Sequence, residues 1–388
     1  MARTNPSLLV WARTTAGLSA EDAARQLKLG GSRQSGDAVL QEYESGEKEP
    51  SRPVLLRMTK LYRRPLLVFY LNEPPQKAER GEDFRTLPVA RRAENEGAVD
   101  ALVRDVHVRQ RLILSALEEA EEAVAHPYVG SATIRETLPS MVAKVVEGIG
   151  FDRAAFRRQR TIEDAFAYLR ERIEGTGIFL LLIGTLGSHH SAISPEVFRG
   201  FAIADRVAPF IVVNDQDAKS AWAFTALHEL VHIWLGETGV SGGVPAKRIE
   251  QFCNDVASRV LVDDTEIGAI EFDIDDFSEC ERAIASFARA HRVSRPLVAY
   301  RLLQQQRISE PVWHALNRHY TETRRQERDS QPRGESGPSY YIVKRHRMGG
   351  ALIDLVKRTV AEGILTPTKA ARVLDVKPTN VATLLGGA

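Results

Sequence analysis

"FTALHELVHIWLG", residues 224–236, decides how this chain is read. His228 and His232 stand four apart with Glu229 beside the first, among Phe224, Leu227, Leu230, Val231, Ile233, Trp234 and Leu235. Residues four apart on a helix lie one above the other on the same face, so both imidazoles can address one ion while Glu229 projects to the side. This is the H-E-x-x-H arrangement: two metal ligands and a carboxylate able to take a proton from water. The apolar neighbours run nearly all round the helix and predict burial. Buried histidines and a buried glutamate are unfavourable unless paired or coordinated, and a metal would supply that compensation. A lone buried histidine is ordinarily a hydrogen-bonded core residue; the paired spacing and the flanking glutamate favour the metal.

A catalytic zinc takes three protein ligands and keeps one position open. Downstream, "RIEQFCNDVASRVLVDD" (248–264) carries Phe252, Val256, Ala257, Val260 and Leu261 at helical spacing. Glu250 lies 18 residues beyond His232, across "GETGVSGGVPAK". An antiparallel return through that Gly-rich loop brings the second helix beside the first, which makes Glu250 the first candidate for the third ligand. Asp255 and Glu237 stand behind it. The plainer reading of Glu250 is a carboxylate at a helix N-terminus, favoured by the dipole. Cys253 reads as a buried structural thiol, and His189 and His190 as a loop pair without an assigned role.

Upstream, "GIFLLLIG" (177–184), "VFRGFAIAD" (197–205) and "APFIVVND" (208–215) read as short strands, the last two as a hairpin. Before them the pattern from 97 to 176 is helical. "TIEDAFAYLRERIEGTG" (161–177) opens on Thr161 and Asp164 as a capping box and stops near Gly175. Residues 1–75 form a small helical unit: "LSAEDAARQLKL" (18–29) has Ser19 as N-cap, and "SRPVLLRMTKLYRRPLLVFYL" (51–71) is a second apolar face broken at Pro65. The expected order is this unit, a linker at 76–96, a core at 97–320 with helical flanks, a linker at 321–339 almost without apolar residues, and a helical C-terminal region at 340–388. The class is mainly α with a small β-sheet, α+β.

Composition narrows the partners. The 388 residues exceed one ordinary core. With 52 basic and 51 acidic side chains the formal charge is +1, so nucleic-acid or membrane attraction requires a local patch. Two cysteines, Cys253 and Cys280, make neither a disulfide framework nor a four-cysteine zinc site. The start lacks a signal-peptide core, and the longest apolar run is strand-length, so no membrane partner and a reducing cytoplasm are expected.

The run "FRGFAIADRVAPFIVVNDQDAKSAWAFTALHELVHIWLG", followed by "IEQFCNDVASRVLVD", resembles the ImmA/IrrE family of zinc metallopeptidases. The resemblance implies a zincin-like core with His228, His232 and Glu250 as zinc ligands and Glu229 as general base. It also implies limited cleavage of a transcriptional repressor encoded nearby. Two His and one Glu equally suit manganese or another divalent ion. "EYESGEKEPSR" (42–52), "RRPLLVFYLNEPP" (63–75) and "DFR" (83–85) resemble an XRE-type helix–turn–helix and its exit. There the sequence departs from the pattern. "GSRQSGDA" (31–38) makes the turn longer than usual, and the base-reading helix offers Asp37 and Glu42 with no cation. Arg33, Arg52 and Arg57 are the candidate phosphate contacts; the other reading is a module for protein contact or homodimerisation. The alternative function is an XRE-type DNA-binding regulator whose metallopeptidase fold senses a signal or is inactive. A second, weaker helix–turn–helix appearance lies at 365–385.

Overall fold

Short apolar runs and capped amphipathic segments partition this chain into a small sheet and many helices. The computed structural model describes residues 3–32, 34–75, 89–187, 191–237, 244–330 and 339–386. By internal packing it divides into two units. One comprises residues 1–80, 84–108 and 185–198, and the other 81–83, 109–184 and 199–388.

In the first unit, α1 (Pro6–Thr15), α2 (Ala20–Gln26), α3 (Gly36–Ser45) and α4 (Arg52–Leu61) precede a 3₁₀ turn at Leu66–Tyr70. Ser19 caps α2 by accepting from the Asp22 N–H, as its sequence position predicts. Leu9, Ala12, Ala23, Leu40, Met58, Tyr62 and Phe69 share one core. Arg13 donates to both Glu44 oxygens, at 2.7 and 2.9 Å, and so ties α1 to α3. Nine residues separate α2 from α3, the long turn the sequence implies. From it, Gln34 donates to the Glu42 carboxylate at 2.7 Å. α5 (Val89–Glu119) starts inside the expected linker 76–96 and crosses the boundary between the units. Residues 97–108 therefore belong with the N-terminal unit and not, as expected, with the core.

The second unit is built round a three-stranded sheet of order β1-β3-β2. β2 (Gly200–Ile203) and β3 (Phe210–Val213) form the expected hairpin, with Gly200 opposite Val213 and Ile203 opposite Phe210. β1 (Phe179–Leu182) adds parallel to β3, Phe179 opposite Phe210. All three strands are buried along their length, as the Phe, Ile, Leu and Val runs of β1 and β3 require. The remaining helices are α6 (Leu138–Ile149), α7 (Arg153–Arg157), α8 (Ile162–Glu174), α9 (Lys219–Leu235), α10 (Val244–Leu261), α11 (Asp264–Gly268), α12 (Phe277–His291), α13 (Arg295–Gln304) and α14 (Glu310–Ser330), then α15 (Tyr340–Met348), α16 (Gly350–Ala361), α17 (Pro367–Leu374) and α18 (Val381–Leu385). α9 packs on β2, β3, α8 and α10.

Two boundaries differ from the sequence reading. The expected linker at 321–339 is helical through Ser330, because Glu, Arg and Gln continue a helix without an apolar stripe. Arg324 fastens that stretch by donating to Asp217 at 2.6 Å and to the Gln216 carbonyl at 3.1 Å. The C-terminal region 340–386 packs in the same unit as the core, with α15 against β1 and α16 against α8.

Arg170, on α8, makes that attachment. Its side chain, 8 % exposed, donates through the guanidinium to the Leu180 carbonyl of β1 and to the His346 and Arg347 carbonyls of α15. Glu174 pairs with Arg170 at 3.0 Å and accepts from the Ala351 N–H at 3.2 Å. Removing one member of a buried pair strands the other. Arg170→Leu should therefore destabilise the protein by roughly 3–5 kcal/mol. Denaturant midpoints measure the loss, and limited proteolysis should show the C-terminal region released first. A loss below about 1 kcal/mol would mean that apolar packing alone holds α15 on β1.

Candidate metal centre

α9 owes its place to the sheet below it and to contacts at both ends. Every residue from Thr225 to Trp234 is buried, as the apolar run predicts. Asp217 precedes the helix, accepts from the Ala218 N–H at 2.7 Å, and places negative charge at the positive end of the dipole. At the other end Gly236 takes a left-handed conformation (φ 72°), and its Cα side lies so close to Gly130 that a Cβ would meet the Gly130 Cα at 2.9 Å. The Gly130 and Ala132 N–H groups donate to the carbonyls of Ile233 and Trp234, closing the last turn. Tyr128 stacks on Trp234 at 4.6 Å.

This rigid helix presents His228 and His232 side by side, with their Nε2 atoms 3.2 Å apart. α10 returns beside α9 and brings Glu250 to both rings. Oε2 lies 3.2 Å from His228 Nε2, and Oε1 lies 3.3 Å from His232 Nε2. Burial pushes the Glu250 carboxyl up, but hydrogen bonds from the two histidines and their charge outweigh it and hold the group well below the ordinary carboxylate value. Glu250 is the seventh residue of α10, past the first turn, so a helix N-terminus does not account for its position. Of the His, Cys, Asp and Glu side chains among the described residues, His228, His232 and Glu250 converge as a ligand set.

The spacing fits a shared cation. Donors about 2.0–2.1 Å from a tetrahedral centre lie about 3.3 Å from one another. Three acceptor-rich groups held at that separation, largely out of water, repel or compete for protons unless a cation satisfies them. Glu229 is buried beside them on α9, with Oε1 close to Gly200 of β2, and is not a member of the ligand set.

The other sequence candidates fall away from the centre. Asp255 accepts from the Tyr300 hydroxyl at 2.8 Å and from Gln304, on another face of α10. Glu237 stands outside the cluster, and Cys253 is a buried thiol. His189, His190 and Arg33 lie outside the described residues. Arg52 and Arg57 are exposed on α4.

Residues 187–303 match the family model described as IrrE N-terminal-like domain, Peptidase_M78. That segment is similar to the ImmA/IrrE family. No curated protein and no solved structure matched the chain. The IrrE-like segment contains β2, β3, α9 and α10, and so every member of the centre. Among the described residues no helix is long and apolar enough to cross a membrane.

One residue of this site escaped the sequence reading. Gly200 opens the edge strand directly over Glu229. A glycine inside a strand pattern signals close approach by another group, but "VFRGFAIAD" shows nothing of what approaches.

Proposed function

We propose that the chain is a zinc endopeptidase that cleaves a cytoplasmic transcriptional repressor encoded near its own gene. The observation that carries this reading is the convergence of His228, His232 and Glu250 beside a buried Glu229 that is not part of the ligand set. Two imidazoles and one carboxylate are a donor set that catalytic zinc takes with one position left open. When bound, the ion supplies Lewis acidity that polarises the scissile carbonyl and acidifies water. Glu229 accepts the proton of the attacking water and delivers it to the leaving amine. β2, one of the two edge strands of the sheet, orients the substrate in extended form by strand addition. The choice of a repressor as substrate rests on the family resemblance. The cytoplasm suits two cysteines that are both buried thiols outside any disulfide.

For residues 3–75 the outward side of α3 supports protein contact over DNA contact. Asp37 and Gln41 are exposed there, and Glu42 is held by Gln34 and by Lys48 at 3.5 Å. Carboxylates facing phosphate weaken DNA affinity.

The test incubates the full chain with that repressor in the presence of zinc, of a chelator, and with the Glu229→Gln variant. Specific cleavage by the zinc-loaded wild type alone is the expected result. A wild type that leaves the repressor intact yet shifts DNA from its own promoter region would establish the regulator reading instead.

A further inference from the structure

Glycine at position 200 is not there for its backbone. Gly200 is absent from the residues with positive φ, and it pairs regularly with Val213 in the β2–β3 ladder. Backbone geometry therefore admits any L-residue, and the space above the strand is what excludes them. A Cβ at this position would stand 2.9 Å from Glu229 Oε1, 2.7 Å from Thr225 Cγ2 and 2.9 Å from the Val212 carbonyl oxygen. Thr225 is one turn before Glu229 on the same face of α9 and is itself buried. The strand, the threonine and the carboxylate thus meet at one point, and that point is vacant only because residue 200 has no side chain.

We infer that Gly200 is a positioning residue for the Glu229 carboxylate. It lets the edge strand lie directly against Oε1 and fixes how far the carboxylate stands from a peptide laid along β2. Its catalytic consequence rests on the peptidase reading above; the contact itself does not. General acid–base catalysis depends on placement at hydrogen-bond reach, so a displacement of a few tenths of an ångström should act on turnover and not on substrate affinity.

The test is a double-mutant cycle on the full chain with Gly200→Ala, Glu229→Ala and both together, melted free of metal. Gly200→Ala should lower the Tm by about 5 °C, as overpacking does in a large unit. In the Glu229→Ala background the loss should shrink to less than half, because the displaced carboxylate is gone. Equal losses in the two backgrounds would assign the glycine to Thr225 and Val212 alone and overturn the inference. If Gly200→Ala fails to fold, folding of the double variant upholds the contact and its failure overturns it. On the cleaved repressor, Gly200→Ala should lower kcat at least about tenfold, with KM within about twofold and zinc content unchanged. An unchanged kcat, or a rise in KM alone, would overturn the positioning role. Should the wild type cleave nothing, the peptidase reading falls while the melting cycle still reports on the contact.

Discussion

Glu229→Gln should lower the turnover of the protein substrate by about 10³-fold while zinc content stays at the wild-type ratio. The substitution keeps the volume of a side chain that is 2 % exposed, so no cavity forms between α9 and β2 and the fold is retained. It removes the only property the proposed chemistry needs from this residue, a carboxylate that accepts a proton and passes it on. The ligand set of His228, His232 and Glu250 is untouched, so metal should remain. Loss of proton transfer acts in the transition state, and kcat and kcat/KM should fall together with little change in KM. Single-turnover kinetics alongside metal analysis measures both. Wild-type turnover by the Gln variant would sink the general-base assignment, and loss of zinc in step with activity would recast Glu229 as a support for the ligands.

How far the sequence disclosed this centre depends on which contacts are local. His228, Glu229 and His232 lie within one helical turn and a half, so i,i+4 geometry alone places them, and the apolar residues between them declare burial. Glu250 depends on the return of the chain, which only the Gly-rich connection between two apolar helices signals. The hairpin was legible in two β-branched and aromatic runs, but β1 pairs parallel to β3 across a connection of 27 residues between Leu182 and Phe210, and no local signal sets such a register. Arg170 looks like any basic residue of an amphipathic helix until its three carbonyl acceptors from β1 and α15 are in place. α14 outran its apolar stripe because helix propensity needs no buried face when Arg324 finds Asp217. Gly200 was invisible for the same reason as Arg170: its meaning lies in a partner distant in sequence.

Glu250→Ala should convert the proposed tight zinc site into a weak one. Residues that merely orient metal ligands are typically worth 10–100-fold in affinity, so deletion of a ligand should cost about 100-fold or more. Two imidazoles 3.2 Å apart remain, enough to hold zinc loosely but without the carboxylate that neutralises half its charge. The consequence for stability is direct. With free zinc at 1,000 times the wild-type Kd, binding stabilises the wild type by about 4 kcal/mol. A 100-fold weaker site gains only about 1.4 kcal/mol at the same zinc concentration. Denaturant midpoints with zinc and with chelator should therefore differ by about 2.7 kcal/mol less in the variant than in the wild type. The metal-free variant should also be less stable than the metal-free wild type, since Glu250 in that state serves the two histidines, at 3.2 and 3.3 Å, so the gain on adding zinc is the quantity that tests the ligand. Zinc retained at wild-type affinity would remove Glu250 from the ligand set. The proposed centre would then have two protein ligands and not the three that an open catalytic zinc requires.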